Sequence, residues 1–512
     1  MKAENSDKKE FVLPIKSTIQ TEKCGQNLFF ESSGEFTLPD YMPKVEKLLR
    51  TESKVLPPLR FVASNEVIMS GNVLHSLIYV GDEGEVSATV LPTKYEASIP
   101  FANKGEEREV IAQPVLESAS CRASAPRKVN VRSKLRALPH TITKIDVTPT
   151  LPDDTDGINM LFGEIDSVCT KNIHLDNITV SETVEISAPA EARLIWCGAN
   201  AAVTDIRTTD GGVQIRGDVF VKLLTSMGGE AKMHCKKIPF EEFCDAELAR
   251  KTSVSAIAKV VSTEAAREQG TDALVDVVLA LDITMDTPEN TSVVFDAFSE
   301  KFDAAVEYRK IPTSKLALCR SGVYSAGGSI PKSSLAGFDE MLDTSGEAIL
   351  EEVRNESGRL ILSGRCNMNS VYKTENGGYS SAEYTLPFKL AWDIDTKNET
   401  ENTASVSLVS VRTRTDGENI VCDMDIAASV RAFEEDEKNV LRSVSLDGAK
   451  PYEKSEYPLC LIYPGGESLW MLAKKYRVSP EKLAKINSIS ISENEYTSPE
   501  ALSKSKILML QI

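Results

Sequence analysis

The sequence predicts a mostly β chain, with three tandem antiparallel β-rich repeat units followed by a small α+β module of order strand, helix, helix, strand. Three observations carry this. An apolar strand entering a glycine recurs at Gly71, Gly217 and Gly364, 146 and then 147 residues apart. That is the spacing of whole domains, not of a solenoid, whose periods run about 20–50 residues. Each such stretch is followed by a run that alternates apolar and polar residues, the mark of a half-buried strand. Over residues 458–512 the apolar spacing changes to that of an amphipathic helix.

Taken in order, residues 1–20 read as an N-terminal tail. They open MKAENSDKKEFVLPIK, charged and without the apolar core of a secretory signal, so none is expected. In the lead-in FTLPDYMPKVEKLLRTESKV, Val45, Leu48 and Leu49 have helical spacing and Pro43 suits a first turn, which predicts a short helix. The first β-rich unit spans 21–160. It holds NEVIMSGNVLHSLIYVGDEGEVSATVLPTKYEASIPF and then KVNVRSKLRAL, where Val129, Val131 and Leu135 alternate with Asn130, Arg132 and Lys134. The second unit spans 161–312, with GGVQIRGDVFVKLLTSMGGEAKMHCKKIPF and ALVDVVLALDI. Residues 313–338, rich in Gly and Ser, read as a linker. The third unit spans 339–450, with GRLILSGRCNMNSVYKTENGGYSSAEYTLPF and NIVCDMDIAASV. Turn signals such as GDEGE, TDGG, MGGE, ENGG and TDGEN separate the runs. A glycine inside a strand predicts a bulge or tight bend. The units end in Ile99-Pro100-Phe101, Ile238-Pro239-Phe240 and Leu386-Pro387-Phe388, and a proline there belongs at the start or edge of a strand.

Composition narrows the function. The 512 residues carry a formal net charge of -18. Nucleic acid and anionic membrane surfaces call for clustered positive charge and are not expected partners. No apolar run is long enough to span a bilayer, so no membrane insertion is expected. The 10 cysteines are dispersed with no C-x-x-C pair, which predicts buried, reduced thiols in a cytosol. His75, His140, His174 and His234 have no ligand spacing, and the phosphate-loop, zinc-protease and serine-hydrolase motifs are absent. AFEEDEKN reads as a solvated face. The sequence thus points to a binding or assembly protein, with no catalytic residue, metal or cofactor expected.

In the C-terminal module, Ser468 can cap a helix whose stripe is Leu469, Leu472, Ala473 and Tyr476. Ser479 and Pro480 start a second helix, with Leu483 and Ile486 inward. Asn487 can end it in a left-handed conformation. Gly466, Glu467, Ser468, Leu469, Trp470, Ala473, Tyr476, Val478, Leu483 and Asn487 match the pattern of the LysM domain, which the module resembles. That resemblance implies a groove for N-acetylglucosamine-containing glycan, here around Gly466 to Trp470 and the segment after Asn487. Three departures stand out. Arg477 takes the place of the usual glycine after the first helix, the usual Gly-Gln before the last strand is missing, and the segment after Asn487 is long. Met471 lies nearly opposite the stripe, and beside Trp470 it predicts an apolar patch suited to a protein partner.

With the lead-in and the terminal module, the three units resemble the SPOCS domains of endospore-forming Firmicutes, in the arrangement of clostridial spore-coat morphogenesis proteins. The resemblance implies a non-enzymatic assembly protein of the mother-cell cytoplasm, acting at the forespore surface. It also implies that the LysM-like module binds SpoIVA, the ATPase of the coat basement layer. The alternative is a peptidoglycan binder of cortex or cell wall.

Overall fold

The structure is a computed structural model that describes residues 17–63, 66–100, 108–268, 271–396, 400–447, 449–452, 459–462, 466–489, 496–498, 502 and 508–511. It is mostly β, 75% strand and 4% helix, in several antiparallel sheets. Strands β1 (Thr18–Cys24) and β2 (Leu28–Thr37) come first. Strands β3 (Val45–Val55), β4 (Leu59–Val62), β5 (Glu66–Gly81) and β6 (Val86–Pro100) form one sheet, with β3 and β4 end to end on one side of β5 and β6 on the other. Strands β7 (Arg108–Ile111), β8 (Pro114–Ala125), β9 (Lys128–Ala137) and β10 (His140–Asp146) return to the start. There β9 lies between β2 and β8, and β10 between β1 and β7.

The next stretch begins with β11 (Ile158–Val184). A three-strand meander follows, β12 (Arg193–Thr209), β13 (Gly212–Met227) and β14 (Glu230–Asp245). Then β15 (Ser253–Arg267) and β16 (Ala273–Ser299) join β11 in the order β11-β16-β15. The same pairing order is found once more. Strand β17 (Ala305–Pro331) precedes the meander β18 (Phe338–Glu356), β19 (Arg359–Thr374) and β20 (Tyr379–Asp393). It pairs with β22 (Asn419–Ser445), whose other neighbour is β21 (Thr400–Asp416). The chain ends in β23 (Leu459–Ile462), α1 (Leu469–Tyr476), α2 (Pro480–Ile486) and β24 (Leu508–Gln511), with β23 antiparallel to β24.

The predicted alternation is realised in side-chain placement. Val129, Val131 and Leu135 of β9 are buried while Asn130, Arg132 and Lys134 are exposed. Val275, Val277, Leu279 and Leu281 of β16 are fully buried, as are Cys422, Met424 and Ile426 of β22. These inward faces meet the meanders in two cores. One joins β16 to β13 through Val277, Leu279, Val219 and Val221, and the other joins β22 to β19 through Met424, Ile426, Leu362 and Met368.

The three strand glycines lie at related places. Gly217 faces Phe240, Gly364 faces Phe388 and Gly71 faces Tyr95 across the strand pair, and a Cβ on any of them would collide with that ring. Register slips at Val203/Asp205 and Leu350/Glu352 lie beside Gly217 and Gly364 on the other flank, so the predicted bulge is present there. Beside Gly71 the flanking strand is broken between β3 and β4. Pro239 and Pro387 sit in edge strands, where a missing N–H leaves no ladder partner unsatisfied. The first tripeptide is not equivalent, because Pro100 pairs with Glu66, far from Gly71, and Phe101 lies outside the described residues.

Two expectations are corrected. The lead-in forms strand β3, not a helix. Register slips at Val45/Lys47 and Leu48/Arg50 interrupt its alternation, so the buried positions fall at Val45, Leu49 and Arg50 and imitate helical spacing. Residues 313–338 are not a linker, because β17 runs through to Pro331 in register with β22. Its small residues admit close neighbours, and a Cβ on Gly328 would press on Leu386.

All three stretches touch one another. Leu49 and Ile78 meet Trp196 and Leu224, and Val371 and Tyr379, in one apolar cluster. In a second, Ile19 meets Ile165 and Val293, and Ile311 and Val440. Buried charge lies beside each. Arg50 pairs with Asp343 and lies 5.3 Å from the Trp196 ring centroid, while Lys222 reaches Asp343 at 2.8 Å. Near the second, Arg431 holds Asp286 at 2.8 Å and Glu22 at 2.7 Å. One residue of each of these two triads comes from each stretch.

Candidate functional site

The two helices start and stop where their side chains dictate. Ser468 is extended and its Oγ accepts from the Met471 N–H at 3.3 Å, while Ser479 accepts from Lys482 N–H at 3.2 Å ahead of Pro480. Helix α1 ends on Arg477 at φ 54°, ψ 44°, a left-handed conformation that suits glycine best. After α2 the left-handed residue is Ser488, not Asn487 as expected. Asn487 has φ -95° and instead donates its Nδ2 to the Leu483 carbonyl at 2.8 Å. Leu469, Leu472, Ala473 and Leu483 of the predicted stripe are buried, while Tyr476 and Ile486 are only half-buried.

The helices are docked on the end of β16. Trp470 is 4% exposed, edge-on to Phe298 at 5.2 Å between centroids, and its Nε1 donates to Asp296 at 2.8 Å. Lys474 reaches both Asp296 oxygens at 2.7 and 2.8 Å, and Tyr308 donates to the same carboxylate. Arg477 donates to the Ser299 carbonyl at 2.9 Å, the Phe302 carbonyl at 3.2 Å and Asp303 at 3.0 Å, and lies over the Tyr452 ring. Lys482 reaches Glu300 at 3.3 Å. Burial works against ionisation of Asp296, yet hydrogen bonds from Lys474, Tyr308 and Trp470 hold its carboxyl below the ordinary value.

The expected apolar patch is therefore divided. Met471 is 56% exposed as predicted, but Trp470 is turned away from it into the Phe298 contact. An indole N–H that leaves water needs an acceptor, and Asp296 supplies it. Gly466, at φ 90°, is exposed, and Glu467 accepts from Lys475 at 3.3 Å. Sequence reasoning missed Asp296, Phe298, Asp303, Lys474 and Lys482. Arg477, an arginine in a glycine position, was the one signal that pointed to them.

Elsewhere the polar side chains are mostly satisfied by one another. His75 is buried between Ser53 at 2.7 Å and Thr93 at 2.8 Å, and burial pulls its pKa down to about 4. Cys24 lies in a narrow cleft with Glu22, Glu401 and Glu435. Burial and the Glu401 carboxylate push its thiol up to about 12, so it is a poor nucleophile at neutral pH. Burial and a hydrogen bond with Glu401 push Glu435 up to about 7. Nine cysteines, Cys24 to Cys422, are free thiols; of these Cys244, Cys366 and Cys422 are buried as expected, Cys235 is exposed and the others are half-buried. Among the described residues, no three of His, Cys, Asp or Glu gather as metal ligands, and no helix is long and apolar enough to cross a membrane. No family model matches the chain, and no curated protein or solved structure is significantly similar to it.

Proposed function

We propose that the chain is a non-enzymatic spore-coat assembly protein of the SipL type, acting in the mother cell at the forespore surface. On this reading the first three stretches are tandem SPOCS-like units of one fold. The C-terminal helices belong to a LysM-like module that binds the coat-basement ATPase SpoIVA. The observation that carries the reading is the pairing order, first–sixth–fifth around a second–third–fourth meander, with a glycine against an aromatic ring in the middle strand. In the first stretch the outer strands are broken in two but keep that order. The capped helices between β23 and β24 support the reading of the module.

The test is a pull-down from sporulating cells with the full chain and with a chain lacking the residues after Tyr457. SpoIVA should be recovered with the first and lost with the second. Recovery of SpoIVA with both would refute the assignment to the module. Tight binding of the full chain to purified peptidoglycan, without SpoIVA, would favour the glycan-binding alternative.

A further inference from the structure

The face of the helical module that the chain covers holds the module's tryptophan and three of its cations, Lys474, Arg477 and Lys482. The cover is an acidic rim, Asp296, Glu300 and Asp303, set around Phe298. Each cation meets one carboxylate. We propose that this contact is a latch: the rim holds in cis the surface that the module offers to its partner, and the partner competes with it. The partner surface then presents carboxylates around an apolar socket for the indole. This rests on the reading above that the helices form a recognition module.

Two features favour a contact that opens. First, its ion pairs are wet. Lys482 is 67% exposed, Asp303 60% and Lys474 40%, and pairs so placed are weakened by water and salt. Around the apolar contact of Phe298 with Trp470, the rest of the docking is polar, as at contacts between mobile domains. Second, Arg477 occupies a left-handed position that glycine would fill without strain. Ending α1 does not require its side chain. Among the described residues the guanidinium acts only outward, on Ser299, Phe302, Asp303 and Tyr452, so its role is docking.

The same geometry gives a clean perturbation. Arg477→Gly keeps or improves the end of α1 and deletes the docking group, while Asp296→Ala deletes the acceptor shared by Trp470 and Lys474. In the full chain, hydrogen exchange of the α1 amides should quicken at least tenfold in both variants, with exchange in β13 and β19 unchanged. Unchanged protection of α1 would overturn the latch. Purified SpoIVA serves as the binding probe, and Asp296→Ala, which opens the rim and leaves the module's own face intact, should bind it at least tenfold more tightly than the wild type. Equal or weaker binding would show that the docked face is not the partner's face and would overturn the competition. Quickened exchange with no SpoIVA binding by any form would instead count against SpoIVA as partner, and the latch would stand on exchange alone.

Discussion

Arg431 is the residue whose loss the body should tolerate least. It is 6% exposed and lies against Asp286, which is fully buried, and Glu22, whose side chain is 13% exposed. Burial opposes ionisation of Glu22, but a hydrogen bond with His140 and the attraction of Arg431 outweigh it and bring its carboxyl from 4.5 to about 2. At about 1.4 kcal/mol per pH unit, that depression stabilises the fold by about 3 kcal/mol at neutral pH. Arg431→Met removes one source of it and leaves two carboxylates facing each other out of water. Breaking a buried pair in this way costs about 3–5 kcal/mol. Urea unfolding at pH 7, followed by circular dichroism, should show a loss in that range.

The pH dependence gives a second reading of the same pair. A carboxyl with a depressed folded pKa stabilises fully above its unfolded value, and the stabilisation is lost as pH falls through the folded value. The wild type should therefore carry this stabilisation in full above about pH 4.5 and lose it as pH falls to about 2, and that acid loss should be smaller in Arg431→Met. The triple variant Glu22→Gln, Asp286→Asn, Arg431→Met should recover much of the loss, because no charge is left uncompensated. A single variant as stable as wild type at pH 7 would refute the reasoning.

Further expectations follow from single sites. Burial, with Glu52 and Glu117 nearby, pushes the Glu347 carboxyl up to about 8, so the folded state favours its protonated form and loses stability as pH rises from 4.5 through 8. Glu347→Gln should match wild type at pH 4 and exceed it at pH 9 in urea midpoint. Gly364→Ala would drive a methyl into the Ile349 carbonyl and the Phe388 ring, with an expected cost of about 1–3 kcal/mol in the same assay. Ser468→Ala removes the cap of α1 and should cost about 1 kcal/mol, seen as faster exchange at the Met471 amide.

Much of the fold was legible because it is written in short-range patterns. Alternation marked β9, β16 and β22, and serine caps marked both helices. The errors have local causes. Slips in β3 gave a strand the apolar spacing of a helix, and glycine and serine in β17 gave a paired strand the composition of a linker. The docking site was illegible for a different reason. Asp296 and Phe298 lie more than 170 positions before their partners, and nothing in an alternating strand says which of its ends will meet a helix.

If the three stretches are the repeat units proposed above, the contacts between them account for the weakness of the repeat signal. In β3, β12 and β18 a register slip is followed by Arg50, Trp196 and Asp343, which pair with Ile78, Leu224 and Val371, each seven residues beyond the strand glycine. These equivalent positions face one another in the assembled body, where Arg50 pairs with Asp343 and lies against Trp196. On the proposed reading, three copies of one unit meet at one point through one position. Three arginines or three aspartates there would be buried like charges without a counter-ion. A charged pair at that point therefore requires different residues in the copies. The glycines and their aromatic partners pack into the core of their own unit, so they are free to stay alike. On that reading the units keep their likeness inside each unit and lose it at the junctions.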